Sequence, residues 1–76
     1  MNGGFHVEWS PAAIDDWKRL SLKNAEKVAV AVRQFAETGE GSVAYIEGEF
    51  LLFLADYVVT MLIDRDTVHV DGVRRA

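Results

Sequence analysis

The chain has 76 residues, half of them hydrophobic, with twelve acidic against eight basic side chains and no cysteine. That length suits one small unit near the lower limit of what folds unaided, and the apolar content excludes a disordered chain. Disulfides and thiolate chemistry are excluded, and a net charge of -4 speaks against a surface that holds nucleic acid by neutralising its phosphates.

The opening MNGGFHVEW has neither the basic region nor the apolar core of a secretory leader, and no apolar run approaches the roughly 20 residues that cross a bilayer. A cytoplasmic protein with no membrane contact is expected, and Gly3-Gly4 reads as a frayed terminus. From Phe5 to Trp9 the residues alternate, with Phe5, Val7 and Trp9 on one side and His6 and Glu8 on the other, which predicts a first strand. Ser10-Pro11 then starts a helix: the serine hydroxyl can cap it, and proline is tolerated at the first helical position because its missing N–H has no partner there. Ala13, Ile14, Trp17 and Leu20 predict an apolar stripe on a helix of about three turns over residues 11–20. Asp15 and Asp16 lie near its positive end.

Ser21 caps a second predicted helix over residues 22–37. Leu22, Ala25, Val28, Ala29, Val32, Phe35 and Ala36 recur at three- and four-residue intervals, the spacing of one buried face, and Val30 falls outside it. Gly39 supplies a left-handed stop. Glu40-Gly41-Ser42 reads as a linker, Val43 to Ile46 as a short strand, and Glu47-Gly48 as a tight turn.

The stretch Phe50 to Val70, FLLFLADYVVTMLIDRDTVHV, predicts two long apolar strands and a shorter third, broken at Ala55-Asp56 and Asp64-Arg65-Asp66. A half-buried strand should alternate apolar with polar residues, yet Phe50, Leu52 and Leu54 are backed by Leu51 and Phe53. Tyr57, Val59, Met61 and Ile63 are backed by Val58, Thr60 and Leu62. The expected fold is an α+β two-layer sandwich of order β-α-α-β-β-β-β, spanning residues 1–76 as one domain, with a helical hairpin on one face of a mostly antiparallel sheet. Two helices cannot cover both faces. Leu51, Phe53, Val58, Thr60 and Leu62 are therefore the candidate partner-binding residues.

Candidate chemistry is sparse. His6 with Glu8, and His69 with Asp71, could be drawn as a metal site or an acid–base pair, but polar residues on the solvent face of a strand look the same, and no known ligand spacing is present. No metal and no cofactor is expected. Ser10, Ser21 and Ser42 are accounted for as caps or turns, and Asp64 and Asp66 by turn preference. Arg74 and Arg75 form the one local concentration of positive charge, a candidate contact for phosphate or an acidic partner.

The element order, together with VEWSPAAIDDWKRL near the start, FLLFLADYVV at 50–59 and GVRR at 72–75, resembles the RelE/ParE superfamily of bacterial toxin–antitoxin toxins. Its members carry a strand pair of the type Y-R-L-R-V-G-D-Y-R-V and close near G-H-R-R. Aligned on Asp56-Tyr57, the arginines of that pattern fall on Leu51, Phe53 and Val58, and the closing histidine falls on Val73. In RelE-like ribosome-dependent mRNA interferases the basic residues of this face bind the message and stabilise the charge that develops on cleavage. Leu, Phe and Val can neither pair with phosphate nor transfer a proton. The resemblance thus implies a toxin-like protein without catalytic residues. It would act by binding a cognate antitoxin, a target such as gyrase, or a second copy of itself. The alternatives are a diverged mRNA endoribonuclease using Arg74 and Arg75, and a non-toxic homologue serving as an interaction module.

Overall fold

The computed structural model describes residues 4–76. Their elements run β1 (His6–Trp9), α1 (Pro11–Lys18), α2 (Leu22–Thr38), β2 (Ser42–Ile46), β3 (Glu49–Phe53), β4 (Tyr57–Asp64) and β5 (Thr67–Arg75). This is the expected α+β order. Gly3, read above as part of a frayed terminus, lies outside the described residues.

Ser10 is extended and its hydroxyl accepts from the Ala13 N–H at 3.0 Å, with Pro11 in the first turn. The helix is shorter than the sequence suggests, 8 residues or about two turns. The N–H groups of Arg19 and Leu20 turn back onto the carbonyls of Asp16 and Trp17, tightening the last turn into a 3₁₀ bend that ends the helix. Ser21 then caps α2 through the Asn24 N–H, and the helix stops at Gly39, whose φ of 79° is the left-handed geometry that glycine adopts without strain.

Ala25, Val28, Val32, Phe35 and Ala36 are buried along α2 as their spacing predicts. Leu22 is the exception, 89% exposed. It is the first residue of α2, at the end of the buried stripe. Val30, expected outside, is half-buried.

The five strands form one sheet in the order β1-β5-β4-β3-β2. Only β1 is parallel to its neighbour, and the other pairings are antiparallel. Glu47 and Gly48 have φ of 51° and 88°, the pair of positive angles that a two-residue hairpin needs to match strand twist. The third apolar run of the Phe50 to Val70 stretch was expected to be shorter than the two before it. Instead β5 is the longest, 9 residues, because pairing with β4 continues past the apolar residues to Arg75.

That pairing contains a bulge. Thr60 lies opposite Gly72 but Met61 lies opposite Val70, which leaves Asp71 without a partner and its backbone groups out of the ladder. The α1 segment is bonded to β5 at and beside this bulge. The Ser10 hydroxyl donates to the Asp71 carbonyl at 3.2 Å, and the Asp16 carboxylate accepts from the Val73 N–H at 3.1 Å. The two helices are joined by Trp17, whose indole N–H donates to the Ala25 carbonyl at 2.8 Å and whose ring meets Trp9 edge-on.

Both helices pack on the same sheet face. Val28, Val32 and Phe35 meet Leu52, Val59, Met61, Val68, Val70 and Val73 in one core, with Trp17 and Leu54 partly buried against it. Met61 is fully buried on central strand β4. Met61→Ala should cost about 2–5 kcal/mol, and Leu22→Ala should stay within about 0.5 kcal/mol. Urea unfolding of the two variants checks both, and a large loss at Leu22 would contradict its position outside the core.

Candidate functional site

The uncovered face is laid out by the strand register. Leu51 lies opposite Thr60, Phe53 opposite Val58, Leu62 opposite His69, and Ala44 of β2 opposite Leu51. Alternation along each strand turns these residues away from the core. Their exposure is uneven: on the central strand Val58, between Phe53 and Arg74, and Thr60, beside Leu51, are buried. Phe53 at 42%, Leu62 at 41% and half-buried Leu51 form the accessible part, and exposed Ile46 extends it towards the free edge of β2. The five candidate residues are thus one continuous surface. Val58 and Thr60 form its floor, and Leu51, Phe53 and Leu62 its accessible part.

Arg74 lies opposite Val58, on the border of this surface. Arg75 lies opposite Tyr57 at the end of the pairing, with its guanidinium 5.9 Å from the centre of the tyrosine ring. The two terminal arginines therefore do not act as one cluster on the open face. Both line a polar cleft of about 450 Å³ at the α1–α2 turn, together with Arg19, Ser21, Asn24 and Tyr57. Sequence reasoning missed Arg19, Asn24 and Tyr57 as neighbours of the terminal arginines. They are far apart in the chain, and only the fold brings them together.

The histidines sit on β1 and β5, at the border of the open face away from β2. His69 lies 3.5 Å from Glu8 and His6 lies 3.9 Å from Asp66, all largely exposed. Among the described residues no group of three His, Cys, Asp or Glu side chains is placed to hold a metal. His6 and Glu8 share the exposed side of β1, as alternation predicts, but each has its own partner, Asp66 in the β4–β5 turn and His69 on β5. Neither pair touches the arginine cleft.

No protein-family model and no curated protein matches the chain. Solved structures do match. A chain of the RelB–RelE antitoxin–toxin complex from Methanococcus jannaschii is similar with a TM-score of 0.76 at 10% identity, over 91% of this chain and 89% of that one. The isolated E. coli RelE toxin gives a TM-score of 0.72 at 12% identity, over 95% and 84% of the two chains. A chain of the ParDE toxin–antitoxin system of P. aeruginosa gives 0.66 at 11% identity, over 95% and 96%. This chain has the RelE/ParE toxin fold. At such identities the likeness is one of backbone, and it leaves the apolar residues of the open face as a property of this sequence.

The Asp16 carboxylate stands where the cleft meets the bulge, and its bond to the Val73 N–H ties α1 to β5. Asp16→Ala would leave a part-buried N–H without an acceptor, at a cost of about 1–3 kcal/mol. Asp16→Asn keeps an acceptor oxygen and should cost less. Equilibrium unfolding of the two variants checks the order, and equal stability would show that the bond contributes nothing.

Proposed function

We propose that this chain is the toxin-like member of a toxin–antitoxin pair and acts by binding protein rather than by cutting RNA. Its first partner is a cognate antitoxin. A protein target of the gyrase kind follows from the ParE side of the resemblance, and a second copy of the chain is the other candidate for the open face. The observation that carries this reading is chemical: on the RelE/ParE fold, Leu51, Phe53 and Val58 occupy the face where the family pattern has arginines. The structures this chain resembles include antitoxin–toxin complexes, which supports a protein partner.

An apolar surface of this kind, in contact with water on a small monomer, favours coverage by another chain. The same substitutions remove the groups that phosphodiester cleavage needs. Losing one preorganised donor from an active site commonly costs on the order of 10² to 10³ in rate, and three arginine positions and one histidine position of the pattern are apolar here. An arginine guanidinium offers N–H donors and no acceptor, so Arg74 and Arg75 cannot serve as a general base.

Expression of the chain should arrest growth with messages intact, and co-expression of a small helix-rich protein from an adjacent reading frame should relieve the arrest. Phe53→Lys should weaken antitoxin capture or self-association by about tenfold or more, as expected for a central anchor, with little change in stability. Codon-positioned cleavage on translating ribosomes, lost when Arg74 and Arg75 are both changed to Ala, would replace this reading with the endoribonuclease. Unimpaired growth on expression would replace it with the non-toxic interaction module.

A further inference from the structure

The arginine cleft lies at the Tyr57 and Arg75 end of β4 and β5, opposite the Arg65-Asp66 turn. Three of the chain's eight Lys and Arg residues line it, although the protein carries a net charge of -4. Among the described residues the carboxylate ion pairs are those of His6 and His69, so the guanidiniums of Arg19 and Arg75 have no acidic partner there. Tyr57 is only 8% exposed. Its hydroxyl oxygen accepts from the Asn24 side-chain amide at 3.1 Å, which leaves its own proton with no acceptor among the described residues.

The start of α2 adds to this. Ser21 satisfies the N–H groups of Asn24 and Ala25, whereas Leu22 and Lys23 are the first-turn positions whose N–H groups have no intrahelical acceptor. No acidic residue stands in that turn, so the positive end of a 17-residue helix is not neutralised locally. The cleft thus presents donors and positive charge. Among the described residues the only carboxylate side chain lining it is Asp16, whose Oδ2 is engaged by Val73.

The geometry points to a binding site for a phosphomonoester dianion, with Arg19 and Arg75 pairing its oxygens and the Tyr57 hydroxyl donating to one of them. A cleft of about 450 Å³ falls in the range of small-molecule sites, enough for a phosphate and a small organic group. Guanidinium forks match phosphate oxygens in pairs. A small dianion inside the cleft feels its neighbours within a Debye length of about 10 Å, while a long RNA would also meet the acidic remainder of the surface. Arg74 stands between the cleft and the open face and forms the rim.

The test is titration of the purified full chain with inorganic phosphate, glycerol 3-phosphate and an oligoribonucleotide lacking terminal phosphate, followed by NMR of the arginine N–H and tyrosine ring resonances. Saturable shifts at Arg19, Arg75 and Tyr57 are expected with the first two ligands. Arg19→Ala and Arg75→Ala should each weaken binding by about tenfold or more, the loss of a charge-assisted pair, and Tyr57→Phe by a smaller factor. Asp16→Asn should tighten binding, because it removes the negative charge and keeps the acceptor for Val73. Arg65→Ala, at the far end, should change nothing. The proposal is overturned by absence of saturable shifts, by binding that survives the Arg19→Ala/Arg75→Ala pair, or by an oligoribonucleotide that binds as well as glycerol 3-phosphate. Tyr57→Phe and Asp16→Asn are nearly isosteric, so their opposite effects remain readable if an arginine variant folds poorly.

Discussion

Two helices can cover only one face of a five-stranded sheet, and the rest of this molecule follows from that limit. The covered face receives the fully buried side chains, Leu52, Met61, Val59, Val68 and Val70 beneath Val28 and Val32. Burying such side chains is the dominant favourable term for a domain this small. The opposite face has no helix left for it, yet β3 and β4 carry apolar residues on both sides. A protein that needed only to fold could have placed charges there at little cost. Retaining Phe53 and Leu62 in contact with water makes sense where another molecule covers them.

The position of the helices depends on a defect in the sheet. The bulge at Asp71 frees a carbonyl that the Ser10 hydroxyl satisfies, and Asp16 bonds the Val73 N–H two residues on, so α1 is tied to β5 from both of its ends. Ser10 also caps its own helix. One side chain therefore joins a local event, helix initiation, to the docking of that helix on β5. Trp17 extends the linkage to α2, so the α1–α2 turn is held over the ends of β4 and β5. The arginine cleft exists because that turn is fixed there.

The two candidate surfaces are chemically opposite and meet at Arg74. The open face is neutral and apolar at its centre, whereas the cleft is polar and lined with guanidiniums. Their separation explains how an acidic protein can present a local positive site: potentials in salt solution are set by groups within about 10 Å, not by net charge. A partner protein covering Leu51, Phe53 and Leu62 and an anion held near Tyr57 would occupy opposite faces of the sheet.

Local chemistry determined much of this protein before it folded. Ser10-Pro11, Ser21 and Gly39 bound the helices because capping acts over three or four residues. The apolar spacing of α2 marked its buried face, and alternation assigned Leu51, Phe53, Val58, Thr60 and Leu62 to one side of a sheet. Where local signals failed, a longer-range cause was at work. Leu22 has helical spacing but stands exposed at the first position of α2. Residues 71–75 lack an apolar pattern and are strand because β4 pairs with them. Val58 and Thr60 belong to the open face yet are buried by their neighbours in the register. Only the tertiary structure brought Arg19 and Asn24 to Tyr57 and Arg75, because a site assembled from distant segments leaves no spacing in the chain, and its geometry is set by which elements pack together.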